Sequence, residues 1–271
     1  MNFKSETMNL CFSGKVGYLT FKEFEKYKFL SHAFSTRYGG VSKNEFSSMN
    51  FYVSGSETPE NVEENYKIFC NALGYDRNKL VRSLQVHGDK IKVISNEDII
   101  NGDLHFSGID GFITDVTGVV LKTSHADCCP VYMFDPVRKV VGLAHAGWRG
   151  TVSKIAENLA RNFTEKFGSK TENLICALGP CIGECCFEVG EDVKNEFESL
   201  KLGMIFKKNK NGKFNIDIKE TNKRILENFG VPSENIIKSD ICSSCNKDWL
   251  FSHRATQGKR GNNGAFITIK N

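Results

Sequence analysis

Three short segments combine a metal-binding side chain with small neighbours: Gln85-Val86-His87-Gly88, Ala126-Asp127-Cys128-Cys129-Pro130 and Ala144-His145-Ala146-Gly147-Trp148-Arg149-Gly150. Each lies just after or inside a β-branched apolar run, so His87, Cys128 and His145 are expected at strand ends. Two imidazoles and one thiolate suit Zn2+. A set of three protein ligands leaves the fourth tetrahedral position to water or substrate, which marks a catalytic zinc rather than a structural one.

A lone histidine after a strand is ordinarily a satisfied structural residue, and a lone buried cysteine a small hydrophobe. The surroundings favour the metal reading. Gly88, Gly147 and Gly150 let backbone approach a ligand closely, Asp127 adjoins the thiolate, and Trp148-Arg149 supplies an aromatic face and a fixed cation. Asp127 is read as orienting the site or moving protons beside the metal, against the plainer alternative of a turn residue at the strand entrance. Asp127, Cys128, His145 and Arg149 make up the expected catalytic set.

A longer series of segments carries a resemblance. Thr36-Arg37-Tyr38-Gly39-Gly40-Val41-Ser42, Gln85-Val86-His87-Gly88, Asp110-Gly111-Phe112-Ile113-Thr114-Asp115 and Ala126-Asp127-Cys128 occur in order. His145-Ala146-Gly147-Trp148-Arg149-Gly150-Thr151, Gly179-Pro180-Cys181-Ile182-Gly183 and Phe251-Ser252-His253-Arg254 follow. From about Ser31 to the C-terminus the chain resembles the laccase-domain family, also known as polyphenol oxidases or peptidoglycan editing factors. The resemblance implies purine nucleoside phosphorylase and adenosine deaminase activities, and a zinc bound by His87, Cys128 and His145. It also places Arg37 and Arg149 near the site, where either would contact phosphate or a substrate anion; a solvated surface cation is the ordinary alternative. Gln85 either finishes its strand or reads a purine edge. Trp148, His253 and Arg254 complete the expected substrate-binding set. The family continues its Ser-Tyr/His-Arg segment with Arg-Asp and then Thr-Gly-Arg. Here Ala255-Thr256 follows Arg254, and Arg260-Gly261-Asn262 stands where Thr-Gly-Arg is expected, so Arg260 would supply that cation from a shifted position.

The 271 residues can bury a substantial core, and no run approaches the length of a membrane-spanning helix. Met1–Gly14 lacks a continuous apolar segment, so a cytoplasmic location is expected. A net charge of +4 without a basic, aromatic-interleaved stripe gives no reason to expect nucleic acid. A nucleoside and phosphate are the expected partners, with no membrane. Ten cysteines in a chain of this length read as thiols rather than a disulfide scaffold.

The elements that position these residues follow from periodicity. Strand-like runs span Val16–Thr20, Phe29–Ser35, Leu80–Val86, Lys90–Ile94, Gly111–Thr114, Val119–Thr123, Val131–Phe134, Val140–Ala144, Leu174–Leu178, Asn235–Lys238 and Ala265–Ile269. Thr58-Pro59 opens a helix that Gly74 closes. Val152, Ile155, Ala156, Leu159, Ala160, Phe163 and Phe167 share one face of a long helix ended by Gly168, whose N-terminus would face an anion at the site. Helices near Val189–Leu200 and over Ile218–Asn228 flank a hairpin, Met204–Lys208 with Lys213–Ile218. The expected fold is α+β: mixed β-sheets covered by helices in one layered domain, 1–271, with residues 1–15 a loosely attached segment.

Cys242-Ser243-Ser244-Cys245 would make a structural zinc site with Cys181 and Cys185, but three residues separate that second pair, and ordinary thiols are the expectation. His125 alternates away from Cys128 and is expected behind the ligands, and His105 in a solvated loop. Three chemistries compete. A zinc enzyme would activate water or bind phosphate for a purine nucleoside. A cysteine hydrolase would use Cys128 as nucleophile and His145 as base, editing an amide in a peptidoglycan precursor. A copper polyphenol oxidase would use the same ligands, yet a multicopper cluster needs His-X-His pairs, and none of the six histidines forms one.

Overall fold

The computed structural model describes residues 3–102 and 104–270. The chain begins with β1 (Met8–Ser13), β2 (Val16–Phe21), β3 (Leu30–Ser35), α1 (Pro59–Leu73), β4 (Leu80–Leu84), β5 (Ile91–Val93), α2 (Asn96–Asn101) and β6 (His105–Ser107). Its middle carries β7 (Gly111–Thr114), β8 (Val120–His125), β9 (Cys129–Asp135), β10 (Val140–Ala146), α3 (Trp148–Val152) and α4 (Ile155–Phe167). The rest is β11 (Ile175–Leu178), β12 (Glu188–Val189), α5 (Glu191–Ser199), β13 (Phe206–Lys208), β14 (Phe214–Ile216), α6 (Ile218–Phe229), β15 (Ile236–Lys238) and β16 (Asn263–Ile269).

Local chemistry sets the boundaries. Thr58 caps α1 by accepting the Asn61 N–H at 3.3 Å, Pro59 occupies the first turn, and Gly74 ends the helix in a left-handed conformation (φ 69°). Met8–Ser13, within the segment expected to attach loosely, is an edge strand paired along its whole length with β2.

A seven-stranded mixed sheet has the order β1-β2-β3-β16-β8-β4-β6, and a six-stranded mixed sheet the order β15-β11-β9-β10-β7-β5. A small third sheet joins β12, β14 and β13. Alternation along each strand divides the core into layers. Phe21, Phe34, Leu121 and Ile267 of the larger sheet meet Tyr132, Phe134, Val141 and Leu143 of the smaller one. On the outer face of the smaller sheet, Val131, Met133 and Val140 pack under Ile155, Leu159 and Phe163 of α4 and Ile225 of α6. On the far side, Ala33, Val120 and Phe266 receive Val62, Tyr66 and Phe69 of α1. The result is two mixed sheets face to face with helices outside, the α+β layering expected from the sequence. Among the described residues no helix is long and apolar enough to cross a membrane.

One expectation fails beside the site. The apolar face from Val152 to Phe167 belongs to two helices, not one: Lys154 adopts a left-handed conformation (φ 58°) and separates α3 from α4. The helix that starts at Trp148 is therefore a single turn with little dipole to offer an anion. Periodicity did not reveal the break because Val152 and Ile155 still face the same core.

Candidate metal centre

His125 and His145 share strand parity with Leu121 and Leu143, so both point into the seam between the sheets, where their rings lie 5.2 Å apart. His145 is at the end of β10, Cys128 directly precedes β9, and His87 follows β4 in a turn with φ 61°. One ligand atom from each of His87, Cys128 and His145 lies within 4.8 Å of the others. A metal with ligand bonds of about 2.0–2.3 Å needs its donors this close together. The three grade outward: His145 is buried, Cys128 half-buried and His87 exposed.

Asp110, fully buried between β6 and β7, organises this geometry. Its Oδ1 accepts the His87 N–H at 2.9 Å and lies 3.0 Å from His145 Nδ1; its Oδ2 accepts the N–H groups of Val86 (3.1 Å) and Gly88 (2.9 Å). With Nδ1–H donated to Asp110, His145 keeps Nε2 free for a metal. Burial alone would raise the Asp110 pKa, but the bonds from His145 and the Gly88 and Val86 amides hold it below the usual range. Sequence reasoning quoted Asp110 only as part of a motif. A carboxylate next to a strand of buried residues was the available signal.

Cys128 and His145 hold each other charged when only protons compete for them. Burial opposes the thiolate, yet the His145 charge and hydrogen bonds from His145 and His87 bring the Cys128 pKa down to about 6. Burial likewise opposes the imidazolium, but Cys128 and Asp110 raise His145 to about 9. His125 stands behind the ligands, as expected, with Nδ1 3.0 Å from the Cys128 carbonyl oxygen and Nε2 2.7 Å from Thr123 Oγ1. Gly147 permits the approach of the ligands. A Cβ there would sit 3.0 Å from His87 Cδ2 and 3.1 Å from Cys128 Sγ.

The remaining expected residues divide by location. A cleft of about 550 Å³ opens on His87 and Cys128, and Asp127, Trp148, Arg149, Phe187, His253, Arg254 and Arg260 line it. Arg149 is exposed and stacks on Trp148, its guanidinium carbon 4.2 Å from the ring centroid, and its side chain makes no hydrogen bond or ion pair among the described residues. Arg254 donates to the carbonyls of Cys186 (2.9 Å) and Glu188 (3.0 Å), which fixes its side chain along the wall. Arg260 also lines a smaller adjoining pocket of about 150 Å³ that reaches His145, and its buried Nε has no hydrogen-bond partner among the described residues. Asp127 is engaged at both oxygens, by Ser243 Oγ (2.5 Å) and the Arg254 N–H (2.7 Å), so its geometry is that of a tether between loops.

Two expected substrate contacts also bond to backbone. Gln85 lines the smaller pocket beside His87 and Cys128, and its amide pairs with the backbone of Ser124, accepting its N–H at 2.6 Å and donating to its carbonyl at 3.1 Å, which leaves one N–H and one lone pair uncommitted. Arg37 lies in neither cleft wall. It donates to the carbonyls of Ser47 (2.8 Å) and Lys247 (3.0 Å) and stacks on Phe251, so it braces loops rather than meeting an anion at the ligands.

Known proteins share this architecture. Purine nucleoside phosphorylase YlmD of Bacillus subtilis (strain 168) is 31% identical over 243 residues, spanning 88% of this chain and 87% of the relative. Adenosine deaminase RL5, from an unknown prokaryotic organism, is 31% identical over 230 residues, spanning 82% of this chain and 87% of the relative. The crystal structure of YlmD from Geobacillus stearothermophilus matches with a TM-score of 0.89 at 29% identity, over 97% of this chain and 99% of that one. With residues 31–270 matching its model, the chain belongs to the multi-copper polyphenol oxidoreductase laccase family.

Proposed function

We propose that this chain is a cytoplasmic zinc enzyme of purine nucleosides, cleaving adenosine or inosine with phosphate and deaminating adenosine. The names of the relatives at about 31% identity support the substrate class. The observation that carries the reading is the cluster of His87, Cys128 and His145, of which His87 and Cys128 open on a cleft that also holds Arg149 and Arg260. The donor set fits zinc: two imidazoles, one easily ionised thiolate, and a buried carboxylate that fixes a ligand tautomer. Zn2+ held there would polarise a substrate oxygen or acidify a bound water.

The chain's own groups supply the rest. Among the described residues the Arg149 guanidinium is unpaired and the Arg260 Nε has no partner, so these two are the donors for a phosphate. Trp148 and Phe187 offer apolar faces to a purine ring. Asp110 holds His145 in position, and Asp127 keeps the Arg254 loop against the cleft.

A second reading has its own observation. Cys128, His145 and Asp110 also form a nucleophile, base and orienting carboxylate, as an amide hydrolase acting on a peptidoglycan precursor would require. Product mass spectrometry on a nucleoside panel with and without phosphate, beside a precursor carrying L-Ser in place of L-Ala, separates the two. Inosine from adenosine, or free base with ribose phosphate, is the expected result; release of amino acid without nucleoside turnover would overturn it. Alkylation of Cys128 adds a check. It should be slow in zinc-loaded protein and fast after chelation.

A further inference from the structure

We infer that Cys185, Cys186, Cys242 and Cys245 form a second, structural metal site, a tetrathiolate that takes one Zn2+ and pins the outer wall of the cleft. The four sulfurs lie within 4.8 Å of one another and share no residue with the His87, Cys128 and His145 set. Sequence spacing pointed to Cys181 and Cys185 as partners for the Cys-X-X-Cys unit, and to ordinary thiols overall. The structure replaces Cys181 with Cys186: Cys181 is buried and its Sγ turns to the Ile182 carbonyl at 3.5 Å.

Distances distinguish the possible states of such a cluster. Cys245 Sγ is 3.6 Å from Cys185 Sγ and 3.4 Å from Cys186 Sγ. A disulfide would need about 2.05 Å and would use only two of the four. An iron–sulfur cluster would spread the cysteines farther apart, since they bind different irons around inorganic sulfide. A single tetrahedral ion with metal–sulfur bonds of about 2.3 Å sets its sulfurs roughly 3.8 Å apart, close to the spacing seen.

The backbone is already arranged for this. A parallel bridge sets Cys181 beside Cys242, with the Ser243 N–H donating to the Cys181 carbonyl at 2.9 Å. The Gly183 N–H is directed at Cys242 Sγ at 3.2 Å, a contact that favours a thiolate over a thiol. A tight turn at Gly183, closed by the Cys186 and Phe187 N–H groups on the Gly183 carbonyl (2.9 Å each), brings two adjacent cysteines to the knuckle at 242–245. Four thiolates satisfy the ion completely, so the site is closed and structural, and the displaced protons pass to solvent.

The location gives the clamp a purpose. Ser243, between two of the ligands, bonds Asp127 beside Cys128, and the Cys186 carbonyl receives Arg254. A metal here would fasten the turn at 183–187, whose Phe187 lines the cleft, to the knuckle at 242–245.

The test uses the full chain purified under reducing conditions. Elemental analysis should give about two Zn2+ per chain for the unaltered protein and about one for each of His87→Ala and Cys245→Ser. Cobalt-loaded His87→Ala should show the intense near-ultraviolet thiolate-to-cobalt charge transfer and red d–d bands of a tetrahedral tetrathiolate. This readout needs no cysteine variant to fold. Loss of all zinc in His87→Ala with no such spectrum, iron in place of zinc, or isolation of Cys245 in a disulfide with Cys185 or Cys186 would each overturn the inference.

Discussion

Replacing Asp110 with asparagine tests the idea that one buried carboxylate builds the ligand geometry. The carboxylate receives four groups, two on each oxygen: His87 N–H and His145 Nδ1 on Oδ1, Val86 and Gly88 N–H on Oδ2. Asparagine offers one oxygen and one NH2. If its oxygen keeps the His87 side, the NH2 confronts the Val86 and Gly88 donors and both lose their acceptor. If the amide turns over, the His87 N–H is orphaned and His145 must move its proton to Nε2, the nitrogen a metal needs. Each orphaned donor costs about 1–3 kcal/mol, and partial exposure of this loop favours the low end, so apo stability should fall by about 2 kcal/mol. Loss of the orienting carboxylate should lower zinc affinity by about 10–100-fold. Denaturant unfolding of the chelated protein gives the first quantity, and competition with a chromophoric chelator gives the second. An Asp110→Asn chain with apo stability within about 0.5 kcal/mol and unaltered zinc affinity would refute the argument.

Other expectations follow from single contacts. Gly147 has an ordinary extended backbone (φ −69°, ψ 174°), so Gly147→Ala should fold normally. Its new Cβ would press on His87 and Cys128, and a shift of a few tenths of an ångström exceeds the tolerance of the coordination, so zinc affinity should drop at least about tenfold. Arg260→Ala should raise the KM for phosphate about tenfold with less effect on the nucleoside KM, measured by saturating each substrate in turn. His32 is buried with its pKa lowered to about 3, by desolvation first and Lys270 second, while its Nε2 accepts the Phe21 N–H at 2.7 Å. The unfolded chain binds this proton from about pH 6.5 downward and the folded chain only near pH 3, so stability falls as pH falls across that window, by about 4 kcal/mol at pH 3. His32→Gln keeps an acceptor and should flatten that part of the acid profile; an unchanged profile would show that other groups set it.

The cluster of His87, Cys128 and His145 was legible in the sequence because each is a chemically distinctive residue at the end of an apolar run, and strand ends hold their positions. Asp110 was not weighed, since its partner His145 lies 35 residues away and the link between them exists only across paired strands. Arg37 and Gln85 were read as substrate contacts from the company they keep in sequence. In the fold they also bond to backbone at Ser47, Lys247 and Ser124. The helix break at Lys154 left no trace in periodicity. The fourth sulfur at the cysteine cluster was misplaced because a tight turn, not a spacing rule, decides which of Cys181 and Cys186 swings inward. Edge elements such as β6 and β12 are too short to carry a pattern of their own.

The outward grading of the ligands has a kinetic meaning. His145 is locked by Asp110 inside the seam, and Cys128 is held from behind by His125, whereas His87 sits on an exposed turn. Arrival and escape of an ion should therefore run through one swinging imidazole on an otherwise standing socket. Occupancy lifetime would depend on how tightly the turn at His87 is held, and the Gln85–Ser124 pairing next to it becomes a brake on exchange. Loosening that brake would shorten the residence time of the ion without altering the chemistry of any ligand.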